Sequence, residues 1–486
     1  MSLVRIGIVL AAACLEVGCS TEVEQESPRR RPNFIILFAD DQGYGDLGIF
    51  GATEFKTPRI DQMAAEGMKF TDFYAQPVCG PSRAALLTGS YPIRVGEYGN
   101  EKRIFPYVHE KEILLPKVLQ EAGYATGMIG KVDITGRRQG WKPELNPVRR
   151  GFDYFFGVVG ANDDGKVHWV HRNEEKIEEE APVHNLTRRY TDESLEFIRR
   201  HRDEPFFLYV AHSMAHVVLG VTEPFEGRSE RGLYGDVIEE LDASTGEILD
   251  LLRELELDQD TIVVYTSDNG PWTNHTQKPY TEAINEHMGD AGPLRGAKAT
   301  TWEGGLRVPT VMWGPGYVPA GTETGEVACT MDLLPTFIAM AGAELPEDLA
   351  IDGYDISEIL RGAPGAKSPR EAFYYYTESS MQAVRSGEWK LVFARKGRKD
   401  NERLLNRVAV FQGEIDEPVP ELALYNLETD VGETLNVAAE HPDIVERLEQ
   451  LAEKGRNELG DYDRIGSGVR FWEDGPKWPN RQQWLK

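Results

Sequence analysis

Short runs of apolar residues alternate with segments of helical spacing along most of the chain. The runs predict strands that are buried on both faces. They lie at residues 33–39, 125–131, 206–211, 261–266 and 308–313. Two segments, 57–70 and 236–255, place apolar side chains on one side of a helix. Strands that alternate with helices predict an α/β fold with a largely parallel sheet.

The pattern changes after about residue 365. Short apolar stretches separated by turn residues predict a second sheet, and the spacing over Pro442–Leu459 predicts a helix that follows it. The stretches lie at 373–376, 382–385, 389–393 and 422–425. We therefore expect a large domain over residues 32–365 and a smaller α+β domain over 366–486.

Polar residues cluster where the predicted strands end. Such residues are Asp40, Asp41, Lys131, His216, Asp268 and Asn269. Ligands of open α/β sheets bind beyond the carboxyl ends of the strands. Because most of these side chains suit a metal ion or an oxyanion, the sequence predicts a binding site at this edge of the sheet.

The chain of 486 residues has 80 acidic and 53 basic side chains, which give a formal net charge of −27. Nucleic-acid binding needs a basic surface, so we expect no nucleic-acid partner. An acidic body can still form one positive pocket, where a divalent cation and a few Lys, Arg and His side chains converge.

The first 19 residues resemble a signal peptide, with an apolar run at 6–15 that is too short to span a bilayer comfortably. The sequence around Cys19 is similar to a bacterial lipoprotein cleavage site, although a Glu stands where that pattern has Leu. Cleavage near residues 11–13 is the alternative. Residues 20–31 are expected to be a tether. We expect an exported protein, either secreted, periplasmic or attached to the outer membrane by a lipid on Cys19.

Four cysteines are too few for a disulfide scaffold, and two of them, Cys14 and Cys19, belong to the predicted leader. Of the remaining two, Cys79 stands among turn residues before a predicted helix that carries Arg83 on the same face. A helix start favours anions and lowers the pKa of a thiol, so this pattern predicts a reactive thiolate. A small buried cysteine before a proline-initiated helix is the alternative.

The segment Cys-Gly-Pro-Ser-Arg at 79–83, with Leu-Thr-Gly at 87–89, resembles the signature of the formylglycine-dependent sulfatases. The resemblance extends from Pro32 over nearly the whole chain, and its character is close to that of the arylsulfatase A and N-acetylgalactosamine-6-sulfatase branch. Further matching segments lie at 40–48, 130–131, 234–242, 267–270, 296–298, 303–309, 331–336 and 424–427. The resemblance implies an alkaline-phosphatase-like sandwich, with a catalytic domain at 32–365.

The resemblance also implies the chemistry of Cys79. A formylglycine-generating maturation enzyme would oxidise Cys79 to formylglycine, whose hydrated form carries two hydroxyl groups. One hydroxyl oxygen bonds to sulfur while the bond from sulfur to the alcohol oxygen breaks. The second hydroxyl then loses its proton, sulfate leaves, and the aldehyde forms again. This is covalent catalysis with an easy second step.

A metal site and a set of cationic residues are implied as well. Asp40, Asp41, Asp268 and Asn269, together with the modified Cys79, would bind Ca²⁺, for which Mg²⁺ is the less favoured alternative. Arg83 and Lys131 would hold the diol. Lys298 and His216 would hold the sulfate oxygens, and one of them would protonate the leaving alcohol. Taken alone, Lys298 would be read as a solvated charge and His216 as a structural histidine.

One segment departs from the family. Where sulfatases usually have Gly-Lys-Trp-His, this chain has Gly130-Lys131-Val132-Asp133. Asp133 therefore stands in place of the histidine that takes a proton from the diol. Either Asp133 takes over the role of base, or this strand end is remodelled.

Two other functions remain open from the sequence. A phosphate or phosphonate ester hydrolase would share the metal site, and a glycan-binding relative would have lost the chemistry. The substrate of a sulfatase would be a sulfated glycan or an aryl sulfate. Trp272, His275 and His287 follow a metal-site strand and could line a sugar subsite, or serve only in packing.

Overall fold

The computed structural model describes residues 30–95, 108–109, 111–134, 143–160, 166–272, 288–347, 349–377, 380–395 and 418–470. The predicted leader, most of the predicted tether, and His275 and His287 lie outside these residues. Among the described residues, no helix combines the length and the apolarity needed to cross a membrane.

A ten-stranded mixed sheet forms the centre of the larger part of the chain. The strands of this part are β1 Asn33–Ala39, β2 Met68–Phe70, β3 Phe73–Tyr74, β4 Ala125–Lys131, β5 Tyr154–Val158, β6 Lys166–Arg172, β7 Glu175–Pro182, β8 Phe206–Ala211, β9 Thr261–Ser267, β10 Thr310–Trp313, β11 Thr322–Thr324 and β12 Ala328–Cys329. The order across the sheet is β11-β2-β10-β9-β1-β8-β4-β5-β6-β7, and β3 pairs with β12 apart from it.

Five neighbouring strands, β9, β1, β8, β4 and β5, run parallel. Their register places Ala39 beside Ser267 and Phe38 beside Ala211, so the carboxyl ends of β1, β8 and β9 meet at one edge. The predicted strand at 308–313 is present as β10, but it is shorter and runs antiparallel to β9. The sheet is therefore mostly parallel at its centre and mixed at its sides.

Helices cover both faces of the sheet. The helices of this part are α1 Pro58–Ala65, α2 Cys79–Thr88, α3 Pro92–Val95, α4 Leu115–Glu121, α5 Leu186–Arg200, α6 Leu233–Glu254, α7 Glu303–Leu306, α8 Leu333–Met340 and α9 Ser357–Leu360. Alternate side chains of β1 enter two separate hydrophobic cores, one with α1, α5 and α6 and the other with α2, α4 and α8. This is why the residues of β1 after Asn33 form an uninterrupted apolar run.

The predicted helix at 57–70 is wrong in its second half. Helix α1 ends at Ala65, and Met68–Phe70 form β2, which pairs with β10 and β11. Gly67 makes the close approach possible, because a Cβ there would lie 2.3 Å from the carbonyl oxygen of Met312. Met68 continues the helical spacing of the apolar residues, but its pairing with β10 makes it part of a strand.

The C-terminal part contains a separate four-stranded antiparallel sheet in the order β13-β14-β15-β16. Its strands are β13 Phe373–Thr377, β14 Ser380–Ser386, β15 Trp389–Val392 and β16 Ala423–Asn426, and α10 Pro442–Leu459 and a hairpin of β17 Gly460–Asp461 and β18 Arg464–Ile465 follow. Leu448 of α10 and Leu391 of β15 share a hydrophobic core with Tyr74 and Leu306 of the larger part. The domain boundaries at 32–365 and 366–486 stay a prediction.

Candidate active site

The site lies where β1, β4, β8 and β9 end. The backbone N–H of Asp268 donates to the carbonyl of Ala39 over 3.0 Å, and the N–H of Asp40 donates to Met214 over 3.0 Å. Asp41 has φ of 64°, a left-handed conformation that Asp tolerates better than most residues. This turn gives the two neighbouring carboxylates a common position at the edge of the sheet.

Cys79 is the first residue of α2, and every residue of this helix is buried. Its Sγ lies 3.2 Å from Oδ1 of Asp40 and 3.6 Å from Oδ1 of Asp41. The ammonium of Lys298 lies 3.1 Å from the same sulfur. Residue 79 is therefore enclosed by carboxylates and an ammonium group, with only 4% of its surface exposed.

The expected low pKa of Cys79 is wrong for this structure. Burial, followed by the charges of Asp268 and Asp40, raises the pKa of the thiol well above its ordinary value. The charges of Lys131 and Lys298 oppose this effect without reversing it. The cysteine itself is thus a neutral thiol, which does not suit a thiolate nucleophile.

Arg83 and Lys131 lie under the acidic cluster. Arg83 Nη2 donates to Asp268 Oδ2 over 2.7 Å, and Lys131 Nζ donates to Asp40 Oδ2 over 2.6 Å. Burial by itself would raise the pKa of Asp40, but the positive charges of Lys131 and Arg83 outweigh it and lower this pKa. Asp40 is therefore an ionised carboxylate that two cations compensate.

Lys298 and His216 complete the opposite side. The ammonium of Lys298 donates to Asp41 Oδ1, and His216 Nε2 lies 3.7 Å from Asp41 Oδ2. Burial and the charge of Lys298 lower the pKa of His216, which favours a neutral imidazole. The Trp272 ring lies 4.8 Å from the Lys298 ammonium and 5.3 Å from the His216 ring, so it covers both side chains.

These residues fit a hard divalent cation. One ligand atom of each of Asp40, Asp41, Cys79 and His216 lies within 4.8 Å of the others. Asp41 Oδ2 and Asn269 Oδ1 are buried oxygens without a hydrogen-bond partner, and Asn269 Nδ2 lies 2.8 Å from Asp41 Oδ1. Buried acceptors without a donor are rare, and a cation would satisfy both of these.

Asp268 also lies beside Asp40 and Asp41. Its Oδ1 accepts a hydrogen bond of 3.1 Å from the backbone N–H of Asp41. Burial and the charge of Asp40 raise the pKa of Asp268, which reflects the surplus of negative charge here. The geometry thus brings together the predicted metal ligands and adds His216, which the sequence had assigned to the sulfate.

Asp133 lies at the margin of this cluster. It has φ of 41°, and its carboxylate lies 3.7 Å from the Lys131 ammonium. The side chain is 14% exposed. The contact described for the Asp133 carboxylate is the ion pair with Lys131, and a base would have to reach residue 79. Its role as a base therefore stays a prediction.

His212, which was assigned no role from the sequence, is buried near enough to Arg83 to be affected by its charge. Both of its ring nitrogens are buried without a hydrogen-bond partner, and burial followed by the Arg83 charge lowers its pKa to about 3. His212 is therefore a neutral side chain. The sequence gives no signal that distinguishes the two histidines, because His212 and His216 both follow the same strand.

A buried polar residue at a helix start, with acidic and basic groups converging on it at the end of a parallel sheet, is typical of enzymes that transfer an oxyanion group from an ester. The sulfatase family model matches residues 32–343, and the family model for the C-terminal region of aryl-sulfatase matches residues 368–476. The chain therefore belongs to the sulfatase family and is a sulfuric ester hydrolase.

Individual relatives agree with this assignment. The N-acetylgalactosamine-6-sulfatase of the dog, Canis lupus familiaris, is 39% identical over 416 residues, 80% of this chain and 75% of that protein. Human arylsulfatase A is 35% identical over 463 residues, 87% of each. A Bacteroides thetaiotaomicron structure from work on the metabolism of multiple glycosaminoglycans has a TM-score of 0.75 at 28% identity, over 87% of this chain and 99% of that chain. The predicted alkaline-phosphatase-like fold is confirmed.

Proposed function

We propose that this enzyme hydrolyses sulfate esters of a carbohydrate with a hydrated formylglycine made from Cys79. The observation that carries the proposal is the position of Cys79 at the start of α2, with its Sγ 3.2 Å from Asp40 and 3.1 Å from Lys298. A nucleophile at this point would lie beside groups that attract both a metal ion and a sulfate.

We infer that the bound cation is Ca²⁺, held by Asp40, Asp41, Asp268, Asn269 and residue 79. Support comes from the two buried acceptor oxygens of Asp41 and Asn269 and from the oxygen-rich ligand set. Such a cation polarises a sulfate oxygen when it is bound. Mg²⁺ is less favoured, because it prefers a rigid octahedral site that keeps several waters.

The cationic side chains have distinct roles in this proposal. Arg83 and Lys131 hold the diol and compensate Asp40. Lys298 holds a sulfate oxygen, because its ammonium contacts both Asp41 and the sulfur of residue 79 and so lies next to the proposed nucleophile. Either Lys298 or His216 protonates the departing alcohol, and His216 can do so only after it has itself taken up a proton.

A carbohydrate substrate is supported by the relatives. One of them is named for a 6-sulfate of N-acetylgalactosamine, and the other was solved in work on glycosaminoglycans. Trp272 is the described aromatic ring beside the proposed sulfate position. A panel of defined sulfated sugars would identify the substrate. If the enzyme hydrolysed none of them, the result would count against a carbohydrate substrate.

The reaction is tested with 4-nitrophenyl sulfate and 4-nitrophenyl phosphate, each with and without a chelator. We expect sulfate hydrolysis that the chelator abolishes and Ca²⁺ restores. Phosphate hydrolysis without sulfate hydrolysis would instead identify a phosphate or phosphonate ester hydrolase. Binding of sulfated sugars without hydrolysis of any substrate would identify a glycan-binding relative.

The nucleophile is tested by mass spectrometry of the peptide that contains residues 79–83. We expect the mass of an aldehyde at residue 79 in active protein, produced together with a formylglycine-generating enzyme. Cys79→Ala is expected to fold and to lack activity. Full activity with an unmodified thiol would exclude the proposed nucleophile.

We also infer export, from the signal-like pattern of residues 1–19. If Cys19 carries a lipid, the protein should fractionate with membranes, whereas Cys19→Ala should be soluble. Equal fractionation of the two proteins would favour ordinary cleavage near residues 11–13.

A further inference from the structure

Lys298 lies on a turn in a strained conformation. The turn is closed by a hydrogen bond of 3.0 Å from the N–H of Thr300 to the carbonyl of Ala297. Ala299, the residue after Lys298, has φ of 68°, where a glycine would be favoured. A non-glycine residue keeps such a conformation only where surrounding contacts fix it. The contacts that fix this turn therefore decide where the Lys298 ammonium lies.

Two of these contacts come from the active site itself. The N–H of Lys298 donates to the carbonyl of Pro271 over 3.0 Å, after the end of β9. The N–H of Ala299 donates to the carbonyl of Pro77 over 2.7 Å, two residues before Cys79. The turn is thus joined to the segment that carries the nucleophile and to the metal-site strand.

Further contacts come from the C-terminal sheet. Lys390 of β15 donates from its ammonium to the carbonyl of Thr301 over 2.9 Å. The same ammonium pairs with Glu303 at 3.0 Å and with Glu433 at 2.7 Å. On the neighbouring strand β14, Gln382 accepts a hydrogen bond of 2.7 Å from the Thr301 hydroxyl. Thr301, three residues after Lys298, is therefore held through both its backbone and its side chain.

A buried charge cluster is an expensive way to stabilise a fold. Lys390, Glu303 and Glu433 are all fully buried, and the desolvation of such groups often cancels their attraction. Well-packed apolar residues would hold the two sheets together at least as well. What the ammonium of Lys390 adds is a directional hydrogen bond to one particular backbone carbonyl.

We propose that Lys390, supported by Glu433, is a positioning residue for Lys298. Through it the C-terminal sheet fixes the turn that presents the Lys298 ammonium to the transferred sulfate. The described hydrogen bond and ion pairs of the Lys390 ammonium are with Thr301, Glu303 and Glu433, so Lys390 acts on Lys298 through the turn and not on the reacting atoms. The inference rests on the role of Lys298 proposed above.

A double-mutant cycle tests this role, with 4-nitrophenyl sulfate as the probe. The proteins are the wild type, Lys298→Ala, Lys390→Met and the double variant. We expect Lys390→Met to lower kcat about 10- to 100-fold with a smaller change in KM, because small displacements of a catalytic group cost rate. In the Lys298→Ala background the same replacement should change kcat less than about twofold, since the group that it positions is gone.

Three other outcomes would contradict the proposed role of Lys390 or of Lys298. An equal loss of kcat in both backgrounds would show that Lys390 acts only through general stability, and the positioning role would be wrong. An unchanged kcat in Lys390→Met would show that Lys390 has no effect on the rate, and the positioning role would again be wrong. If Lys298→Ala itself kept full activity, the proposed role of Lys298 would be wrong, and the positioning role with it.

Two further variants keep the test decisive. Lys454→Met removes an exposed lysine of the same C-terminal part, paired with Glu371 at 3.1 Å, and should leave kcat unchanged. Glu433→Gln keeps the shape of that side chain while it removes one partner of Lys390, and serves if Lys390→Met does not fold. We expect it to lower kcat roughly fivefold, and again only when Lys298 is present.

Discussion

Asp133→Asn distinguishes a catalytic carboxylate from a remodelled strand end. Asn keeps the size of the side chain and tolerates the left-handed backbone at φ of 41°. The substitution therefore removes charge and basicity with little change of shape. The carboxylate that it removes lies 3.7 Å from the buried ammonium of Lys131.

The expected effects on stability and on rate differ in size. Two unit charges at 3.7 Å attract by roughly 4.5 kcal/mol at an effective dielectric constant of about 20, before the cost of desolvation. Asp133 is 14% exposed and Lys131 has a second, closer partner in Asp40, so the net loss of unfolding free energy should be about 1 kcal/mol. Loss of a general base would lower the rate by about 10²- to 10⁴-fold.

The assay is kcat/KM for 4-nitrophenyl sulfate, with the midpoint of thermal unfolding measured on the same samples. Asp133→His tests whether the usual histidine of the family restores activity to this strand end. Asp203→Asn is the matched control, because Asp203 is an exposed carboxylate 3.5 Å from Arg202. An Asp133→Asn enzyme within about twofold of the wild type would refute the base role.

Three other predictions concern the metal, the backbone and pH. A chelator should lower the midpoint of thermal unfolding and Ca²⁺ should restore it, because the metal compensates buried carboxylates; an unchanged midpoint would contradict a bound metal. Gly130→Ala should lower the unfolding free energy by about 2–4 kcal/mol, since a Cβ would lie 1.9 Å from the carbonyl oxygen of Ala211, whereas Gly51→Ala, at a similar φ in open space, should cost less. Burial raises the pKa of Asp46 to about 7 in the folded state, so the unfolded chain loses this proton first and the unfolding free energy should fall as pH rises from about 4 to 7. Asp46→Asn should show a flatter dependence in calorimetry, and an identical slope would refute this assignment.

Much of the central sheet was predictable because its strands are buried on both faces. The runs that became β1, β4, β8 and β9 stand out for this reason. The helix Pro442–Leu459 was predicted with its observed limits, because a proline starts it and a glycine follows it. By contrast, the direction of β10 depends on tertiary pairing, which local periodicity does not encode.

The site was predictable to the extent that motifs name its residues. The position of Asp40 at a strand end and the signature at Cys79 were visible in the sequence, whereas the closeness of Lys298 to Cys79 was implied only by the resemblance to the family. The raised pKa of Cys79 does not, because it depends on the depth of burial and on two carboxylates distant in sequence. The link from Lys390 to the Lys298 turn was equally hidden, since a lysine in a short C-terminal strand resembles any surface lysine.

The burial of Cys79 has a consequence for the time at which this enzyme can be activated. An enzyme that modifies a side chain must first reach it, yet here the residue is 4% exposed and begins a helix without an exposed residue. If formylglycine is made as proposed, it must be made while residues 79–83 are still unfolded. Folding would then close the opportunity, and on this proposal a chain that folds before it meets the maturation enzyme would stay inactive.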